Sequence, residues 1–217
     1  MSGLFITFEG GEGTGKSTQL ALLSKHLRSN GLEVRLLREP GGTIVGERVR
    51  SILLDRKNSD ISPIAELMLY EACRAQSMHE IIKPGLDAGE IILCDRFTDS
   101  TVAYQGYGRG LGAHFVRELN NAATAGISPD RTCLFMLDPK IGVRRAAKVS
   151  KGGADRLESA PMQFHENLAS GFLEIAKQES NRVRLIDASG SIEEVQQLVW
   201  EQLGDLFNTI PNPKKQQ

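Results

Sequence analysis

The sequence predicts an α/β domain with a doubly wound sheet of five parallel strands and helices on both faces. Two observations favour this fold class. Five short runs of apolar and β-branched residues are separated by segments long enough to form helices. Several of these runs are apolar at consecutive positions, which is typical of a parallel strand buried on both faces. The predicted strands are residues 4–8, 33–37, 91–94, 132–137 and 183–186.

Two of the intervening helices have recognisable starts. Pro63 follows a serine, and proline is favoured at the first helical position, so a helix is predicted over 66–88. Ser191 and Glu194 have the spacing of a capping box, in which each side chain satisfies a backbone N–H of the other residue. This spacing predicts a second helix over 193–207.

The domain organisation follows from length and local composition. A chain of 217 residues fits a single domain, predicted over 1–207. Residues 208–217 contain two prolines and two lysines and are predicted to form a disordered tail. Two polar, glycine-rich stretches, 105–112 and 150–154, are predicted to be mobile loops.

Charge and cysteine content exclude several functional classes. The formal net charge is -1, without the basic excess of a nucleic-acid-binding protein. No apolar run approaches the roughly 18 residues that span a bilayer, so no membrane association is expected and the expected compartment is the cytoplasm. The histidines occur singly, which argues against a metal cluster or a Ser-His-Asp relay. The three widely spaced cysteines are interpreted as buried thiols: Cys73, Cys94 and Cys133.

A phosphate-binding motif follows the first predicted strand. Residues 10–17 match G-x-x-x-x-G-K-[S/T] and precede a helical segment over 18–29, the context that identifies a P-loop. In such a loop backbone N–H groups face phosphate oxygens, Lys16 reaches the β and γ phosphates, and the Ser17 hydroxyl ligates Mg²⁺. The alternative is a flexible glycine-rich turn. The predicted ATP-binding residues here are Gly10, Gly11, Glu12, Gly13, Thr14, Gly15, Lys16, Ser17 and Thr18.

The third predicted strand ends in a carboxylate and an arginine. Asp95 follows four apolar residues, as in a Walker B element that helps to hold Mg²⁺, although an aspartate here could also cap a turn or helix. Arg96 comes next, at the sheet edge where open α/β sheets bind ligands, and a phosphate contact is predicted.

Two further positions are candidate ligand contacts. Arg38 ends the second strand before a Pro-Gly-Gly turn and could hold an anion, or could be an ordinary surface arginine. Tyr70 and Arg74 are four residues apart and share one helix face. Such a pair can stack on a planar base and bind its edge, or can be a packed aromatic beside an arginine.

A basic segment follows the fourth predicted strand. Between Asp138 and Asp155 the sequence has five basic residues and no acidic one. We interpret the segment as a short basic lid, about 140–158, that closes over phosphates, the alternative being a solvated helix face. The basic residues are Lys140, Arg144, Arg145, Lys148 and Lys151.

Together these motifs resemble the bacterial thymidylate kinases, a branch of the nucleoside monophosphate kinases with the P-loop fold, over roughly residues 3–205. The resemblance implies transfer of the γ-phosphoryl group of ATP to dTMP, with Mg²⁺, in a homodimer. The matching strings are Phe8-Glu9-Gly10, Arg38-Glu39-Pro40-Gly41-Gly42-Thr43, the Tyr70 and Arg74 pair, Asp95-Arg96-Phe97, Ser100-Thr101-Val102-Ala103-Tyr104-Gln105-Gly106 and Asp155-Arg156-Leu157-Glu158.

The resemblance implies a role for several residues at the acceptor base. Tyr70 would stack on thymine, Arg74 and Gln105 would lie at its polar edge, and Ser100 would help to fix it.

It also implies contacts to the rest of the acceptor. Arg38 and Arg96 would hold the acceptor phosphate, Glu12 would face the sugar, and Tyr104 would crowd the ribose 2′ position and favour deoxyribose.

The lid must then supply a cation, because the variable P-loop positions contain no arginine and the transferring phosphoryl group needs charge beyond Lys16 and Mg²⁺. Arg145 is the first choice because Gly142-Val143-Arg144-Arg145-Ala146 matches the family string Gly-x-x-Arg-Ala. It could instead stack on adenine, with Lys148 or Lys151 meeting the phosphates. The implied catalytic residues are Lys16, Arg38, Asp95, Arg96 and Arg145.

Three other functions share some of these features. A GTPase-type switch would need a guanine-reading Asn-Lys-x-Asp string, which the sequence lacks. A nucleotide-binding scaffold without turnover would not need Lys16, Ser17 and Asp95 together. A kinase for another monophosphate, such as dUMP, is the remaining alternative.

Overall fold

The computed structural model describes residues 3–149 and 156–207. It contains one sheet of five parallel strands in the order β2-β3-β1-β4-β5, which confirms the predicted fold class. All five predicted strands are present, each within two residues of its predicted ends. The strands are β1 (Leu4–Gly10), β2 (Val34–Arg38), β3 (Ile91–Asp95), β4 (Arg131–Met136) and β5 (Val183–Asp187).

Helices cover both faces of the sheet. One apolar cluster joins α1 and α9 to the face that carries Ile6 and Phe8, and two others cover the face that carries Phe5 and Leu134. The helices are α1 (Lys16–Ser29), α2 (Ile44–Leu54), α3 (Pro63–Ser77), α4 (Lys83–Asp87), α5 (Thr98–Thr101), α6 (Ala113–Thr124), α7 (Pro139–Val149), α8 (Met162–Gln178) and α9 (Ile192–Leu203). Short 3₁₀ turns follow α2 and α9, at Arg56–Asn58 and Gly204–Phe207.

The predicted helix starts are confirmed by their caps. Ser62 accepts a hydrogen bond from the N–H of Ala65 and α3 begins at Pro63. Ser191 and Glu194 form the complete capping box at the start of α9. The helix predicted over 66–88 is interrupted by a π-helical turn, Met78–Ile82, before α4.

The prediction of a mobile loop over 105–112 is wrong for its first part. The chain continues from α5 into a π-helix, Val102–Gly108, in which Gln105 and Gly106 are buried. Val102 and Tyr104 belong to the apolar cluster under α8, so this segment is part of the core despite its glycines. The loop predicted over 150–154 and the tail over 208–217 lie outside the described residues.

The cysteine prediction is confirmed, since all three thiols are buried and free. Within residues 3–149 and 156–207, no helix is long and apolar enough to span a bilayer. That part of the chain also contains no group of three or more His, Cys, Asp or Glu side chains arranged to hold a metal ion.

Because the five strands are parallel, their carboxyl ends lie at one edge of the sheet. β1 leads into the phosphate-binding loop, β2 ends at Arg38, and β3 ends at Asp95. The register pairs Phe8 of β1 and Arg38 of β2 with Asp95 of β3. The sheet therefore gathers the residues that sequence analysis selected.

Candidate active site

A cleft of about 820 Å³ opens at the carboxyl edge of the sheet. It is lined by nearly all the predicted site residues: Glu12, Gly13, Thr14, Gly15, Lys16, Ser17, Thr18, Arg38, Tyr70, Arg74, Asp95, Arg96, Ser100, Tyr104, Gln105 and Arg145. Gly10 and Gly11, at the start of the loop, are not among the lining residues, and their carbonyl oxygens accept hydrogen bonds from Lys16. The fold therefore brings these sequence-predicted residues together around one cleft.

The loop between β1 and α1 needs glycine for two different reasons. Gly15 has a φ of 86° and is the N-cap of α1, so the helix begins directly behind the loop. A Cβ at Gly13 would lie 2.1 Å from the carbonyl oxygen of Gly142, in the first turns of α7. The loop is thus packed directly against the start of the basic helix.

Lys16 is buried at the centre of the loop. Its Nζ donates to the carbonyl oxygens of Gly10 at 3.1 Å and Gly11 at 2.6 Å, and to Oγ1 of Thr14 at 3.3 Å. Burial and the nearby Arg96 lower the pKa of Lys16 to about 8, against the opposing effect of Glu12 and other carboxylates. The ammonium group is therefore still mainly protonated at neutral pH.

Ser17 and Asp95 meet at the start of α1. The Ser17 hydroxyl donates to Oδ2 of Asp95 at 2.5 Å, and both residues line the cleft. Mg²⁺ takes oxygen ligands and is usually held by only one or two protein groups together with substrate phosphates and water. A hydroxyl and a carboxylate oxygen at hydrogen-bond distance are a donor set that fits this ion.

Arg96 links the end of β3 to the loop after β1. Its backbone has a φ of 71°, in the left-handed region that non-glycine residues rarely occupy. Its guanidinium donates to the carbonyl oxygen of Gly10 and to Oε1 of Glu12, both at 2.7 Å, and to the Ser100 hydroxyl at 3.2 Å. Its carbon Cζ lies 5.1 Å from the ring centroid of Tyr104.

Glu12 is shared between this arginine and a tyrosine. The Tyr104 hydroxyl donates to Oε1 of Glu12 at 2.5 Å. Burial alone would raise the pKa of Glu12, but the charges of Arg96 and Lys16 lower it to about 2. Glu12 is therefore a carboxylate that fixes both Arg96 and Tyr104 beside the loop.

Arg74 is 1% exposed and carries a buried network. Its Nε donates to Glu39 at 3.0 Å, and its Nη1 donates to Glu71 at 3.0 Å and to Asn120 at 2.7 Å. Its guanidinium lies 5.1 Å from the ring centroid of Phe97. Nη2 makes no hydrogen bond to another described residue, and Arg74 contributes to the lining of the cleft.

Comparison with known proteins identifies the family. A family model described as Thymidylate kinase matches residues 8–199. The thymidylate kinase of Deinococcus radiodurans is 46% identical over 198 residues, covering 91% of this chain and 95% of its own length. That of Citrifermentans bemidjiense is 47% identical over 212 residues, covering 96% and 94%. The chain belongs to the thymidylate kinase family.

A solved structure agrees with this assignment. The crystal structure of thymidylate kinase from Ehrlichia chaffeensis superposes with a TM-score of 0.76 at 34% identity. The superposition covers 94% of this chain and 99% of that one. The family likeness therefore extends over the sheet, the cleft and the helices around it.

The two predicted phosphate-binding arginines at the rim of the cleft are held less tightly than Arg96. Arg38 is half exposed and donates to Glu47 at 2.8 Å. Arg145, on α7, is exposed and donates to the carbonyl oxygen of Ala188, just after β5, at 3.1 Å. Lys148 also lines the cleft, whereas Lys151 lies outside the described residues.

Sequence analysis assigned no role to several buried carboxylates around the site. Glu9 accepts hydrogen bonds from the N–H of Phe97 at 2.7 Å and the Ser100 hydroxyl at 2.5 Å. Glu39 pairs with Arg74, and Glu66 accepts a hydrogen bond from Gln105 of the π-helix and pairs with Arg109 just after it. A glutamate inside an apolar strand was the available signal for Glu9, since a charged residue in a buried strand needs a partner.

Proposed function

We propose how this chain performs the reaction of its family. The chain is a dTMP kinase: it transfers the γ-phosphoryl group of ATP to dTMP and forms dTDP and ADP. One observation supports the residue assignment above all. Arg96, the proposed acceptor-phosphate ligand, donates to the carbonyl oxygen of Gly10 in the donor-phosphate loop, so one side chain spans the two halves of the site.

The donor phosphates are proposed to bind the loop over 10–18. Its backbone N–H groups and the start of α1 provide partial positive charge, and Lys16 provides a full charge at the β and γ phosphates. Ser17 and Asp95 would hold Mg²⁺, which supplies charge neutralisation at the phosphate oxygens.

The acceptor is proposed to bind on the other side of Arg96. Arg38 and Arg96 hold its phosphate, so the attacking oxygen is oriented by positive charge on the acceptor side. Tyr104, fixed by its hydrogen bond to Glu12, limits the space beside the sugar and favours deoxyribose.

The base is proposed to lie between α3 and the π-helix Val102–Gly108. Tyr70 stacks on the thymine ring, and Arg74 and Gln105 face its polar edge, while Ser100 supports this wall through Arg96 and Glu9. All four residues line one cleft with the loop, which brings the base and the phosphates of both nucleotides within a single cavity.

An assay of ATP consumption against a panel of monophosphates tests the substrate assignment. We expect dTMP to be the preferred acceptor, dUMP to be second because it shares the polar edge, and ribonucleotides to be poor acceptors because of Tyr104. A panel in which a purine monophosphate or dCMP gives the highest kcat/KM would contradict the assignment. ATP hydrolysis without any acceptor dependence would instead support the scaffold alternative.

The lid is proposed to supply the remaining cation from Arg145, Lys148 or Lys151. Single alanine variants are expected to include at least one whose turnover falls by roughly 100-fold, near the lower range for an arginine-finger contact. A lost transition-state contact lowers kcat with an unchanged KM for ATP, whereas a lost adenine stack first raises that KM.

The same assay separates a lid from a solvated basic face. If all three single variants and the triple variant keep turnover within about threefold at saturating ATP, the segment is a surface face with little energetic role. Lys140, on the same helix but absent from the lining of the cleft, is the matched control position, because its loss removes charge without removing a cleft contact.

The protein is further proposed to act in the cytoplasm as a homodimer. The observation that supports the homodimer is a set of exposed apolar side chains on neighbouring helices α2, α3 and α6: Ile52, Ile64, Met68 and Phe115. Such side chains are commonly covered by an isologous partner. Sedimentation that gives the mass of one chain, 23.8 kDa, at micromolar concentration would contradict the dimer.

A further inference from the structure

A buried carboxylate in the first turn of α3, Glu66, collects donors from two other parts of the chain. The side-chain nitrogen of Gln105 donates to it at 2.7 Å, and Arg109 donates through Nε and Nη2, both at 3.1 Å. Arg156 approaches it with Nη1 at 2.5 Å. Glu66 is 1% exposed, so its carboxylate is shielded from water, whereas Arg109 remains partly exposed.

Two guanidinium groups keep this carboxylate ionised. Burial by itself would raise the pKa of Glu66, but the hydrogen bonds from Arg109 and Gln105 and the charges of Arg109 and Arg156 outweigh burial and lower it. An ionised carboxylate accepts hydrogen bonds and donates none. Whatever faces Glu66 must therefore present a hydrogen-bond donor, and the donor end of a glutamine amide is its nitrogen.

This requirement determines the orientation of the Gln105 amide. The two ends of a glutamine amide are chemically different, because the nitrogen only donates and the oxygen only accepts. With the nitrogen bound to Glu66, the oxygen is at the opposite corner of the amide, and Gln105 lines the cleft. A flipped amide would set its oxygen against the Glu66 carboxylate, which is repulsive.

The fixed oxygen has a consequence for the choice of base. Thymine and uracil carry a ring N–H between two carbonyl groups, and this N–H can donate to an amide oxygen. Cytosine carries an unprotonated ring nitrogen at the same position, which would face that oxygen as a second acceptor. An unpaired buried acceptor costs binding free energy, so the orientation of one amide discriminates between the bases.

We propose that Glu66 is a positioning residue that fixes the Gln105 amide with its oxygen available to the base, and so selects thymine and uracil over cytosine. The inference rests on the proposed contact between Gln105 and the base. Arg109 and Arg156 hold Glu66 in place from two sides. Arg156 also donates through Nε to the carbonyl oxygen of Leu53 at the end of α2, and Arg109 lies 5.0 Å from the ring centroid of Phe164.

Glu66→Gln tests the proposal by replacing one carboxylate oxygen with an amide NH₂ group of nearly the same size. The neutral amide at position 66 can either donate or accept, so the Gln105 amide is released to rotate. We expect the ratio of kcat/KM for dTMP to that for dCMP to fall by about tenfold or more, mainly through a higher KM for dTMP. The KM for ATP should stay within about twofold of wild type. An unchanged ratio in the folded variant would overturn the proposal.

Glu90→Gln is the matched control. Glu90 forms a bidentate pair with Arg35, with both distances 2.6 Å, just before β3 at the edge of the sheet opposite the cleft. The same substitution there also breaks an Arg–Glu pair, and it should leave the dTMP to dCMP ratio unchanged. An equal fall in both variants would mean that general loosening of the fold changes the ratio, and would overturn the proposal.

Two further variants separate the possible failures. Gln105→Leu removes the proposed base contact itself, so wild-type selectivity in that variant would refute the contact and leave dTMP kinase activity standing. A large fall in the dTMP to dCMP ratio in Gln105→Leu, with no fall in Glu66→Gln, would refute only the role of Glu66. If Glu66→Gln does not fold, Arg109→Ala keeps the Glu66 charge while removing two of its donors. A smaller fall in the ratio, about threefold, supports the proposal and an unchanged ratio overturns it.

Discussion

Lys16→Ala is expected to lower turnover by about 100- to 1000-fold at saturating ATP. The ammonium group lies among the carbonyl groups of the loop, and the proposed assignment puts the transferring phosphoryl group beside it. A preorganised donor at such a position contributes on this scale when it is removed. Steady-state kcat for dTMP phosphorylation is the measurement, with thermal unfolding recorded for the same preparation.

Burial makes a second variant necessary for Lys16. The side chain is 6% exposed and donates to two carbonyl groups of its own loop, so alanine removes packing as well as charge. Lys16→Met keeps most of the aliphatic stem and removes only the ammonium group. Both variants should lose the same activity, while the unfolding temperature should fall further in Lys16→Ala. Wild-type turnover in a variant with unchanged unfolding would refute the catalytic role.

Arg74→Ala is expected to destabilise the protein by about 3–5 kcal/mol. The substitution leaves Glu39 and Glu71 buried without their common partner, and an uncompensated buried charge carries a penalty of this size. Asn120→Ala is the matched control, because it removes a neutral partner of Arg74 and leaves the charges paired. Asn120→Ala should lower the free energy of unfolding by only about 1 kcal/mol. Urea unfolding of both variants measures the difference.

The loss of stability in Arg74→Ala should depend on pH. Burial raises the pKa of Glu39 to about 7 even with Arg74 beside it, and removing the arginine raises that pKa further. A carboxyl group whose pKa is raised in the folded state does not lower the free energy of unfolding at pH values below its unfolded pKa of about 4.5. As pH rises above that value, it lowers the free energy of unfolding progressively. The destabilisation should therefore be smaller at pH 5 than at pH 8. Equal losses at both would argue against unpaired carboxylates as the cause.

Arg74→Ala should affect the binding of dTMP and the binding of ATP differently. Loss of Arg74 removes a proposed donor to the base edge, which should weaken dTMP binding by about 1–3 kcal/mol with little change for ATP. Calorimetric titration of each ligand measures both values, at a temperature where the variant is folded. A matched loss for ATP would mean that α3 had moved.

The parts predicted from sequence are those set by neighbours along the chain. The five strands, the capping box at Ser191 and the loop over 10–17 each depend on a local pattern of residues. The position of the cleft followed from them, because parallel strands end at one edge. Identifying the P-loop required only its motif, with a predicted strand before it and a predicted helix after it.

The parts that escaped prediction depend on contacts between distant segments. Glu66 and Arg156 are separated by 90 positions, and nothing along the chain shows that they meet. Residues 105–112 are glycine-rich and polar, which is the composition of a loop, yet packing against α8 holds the first half of the segment, 105–108, in a π-helix. Composition indicates how a segment behaves alone, whereas tertiary packing decides how it behaves here.

The fixation of Arg96 also affects the entropy of substrate binding. Ordering a long arginine side chain costs up to about 2 kcal/mol in lost rotamer freedom. Here the protein's own groups, the Gly10 carbonyl, Glu12 and Ser100, hold the guanidinium, so folding rather than binding bears that cost. A phosphate that reaches Arg96 gains the interaction without having to order its partner first. Under the proposed assignment, the spacing between the two phosphate groups is consequently set by the folded backbone, through a residue that joins β1 to β3.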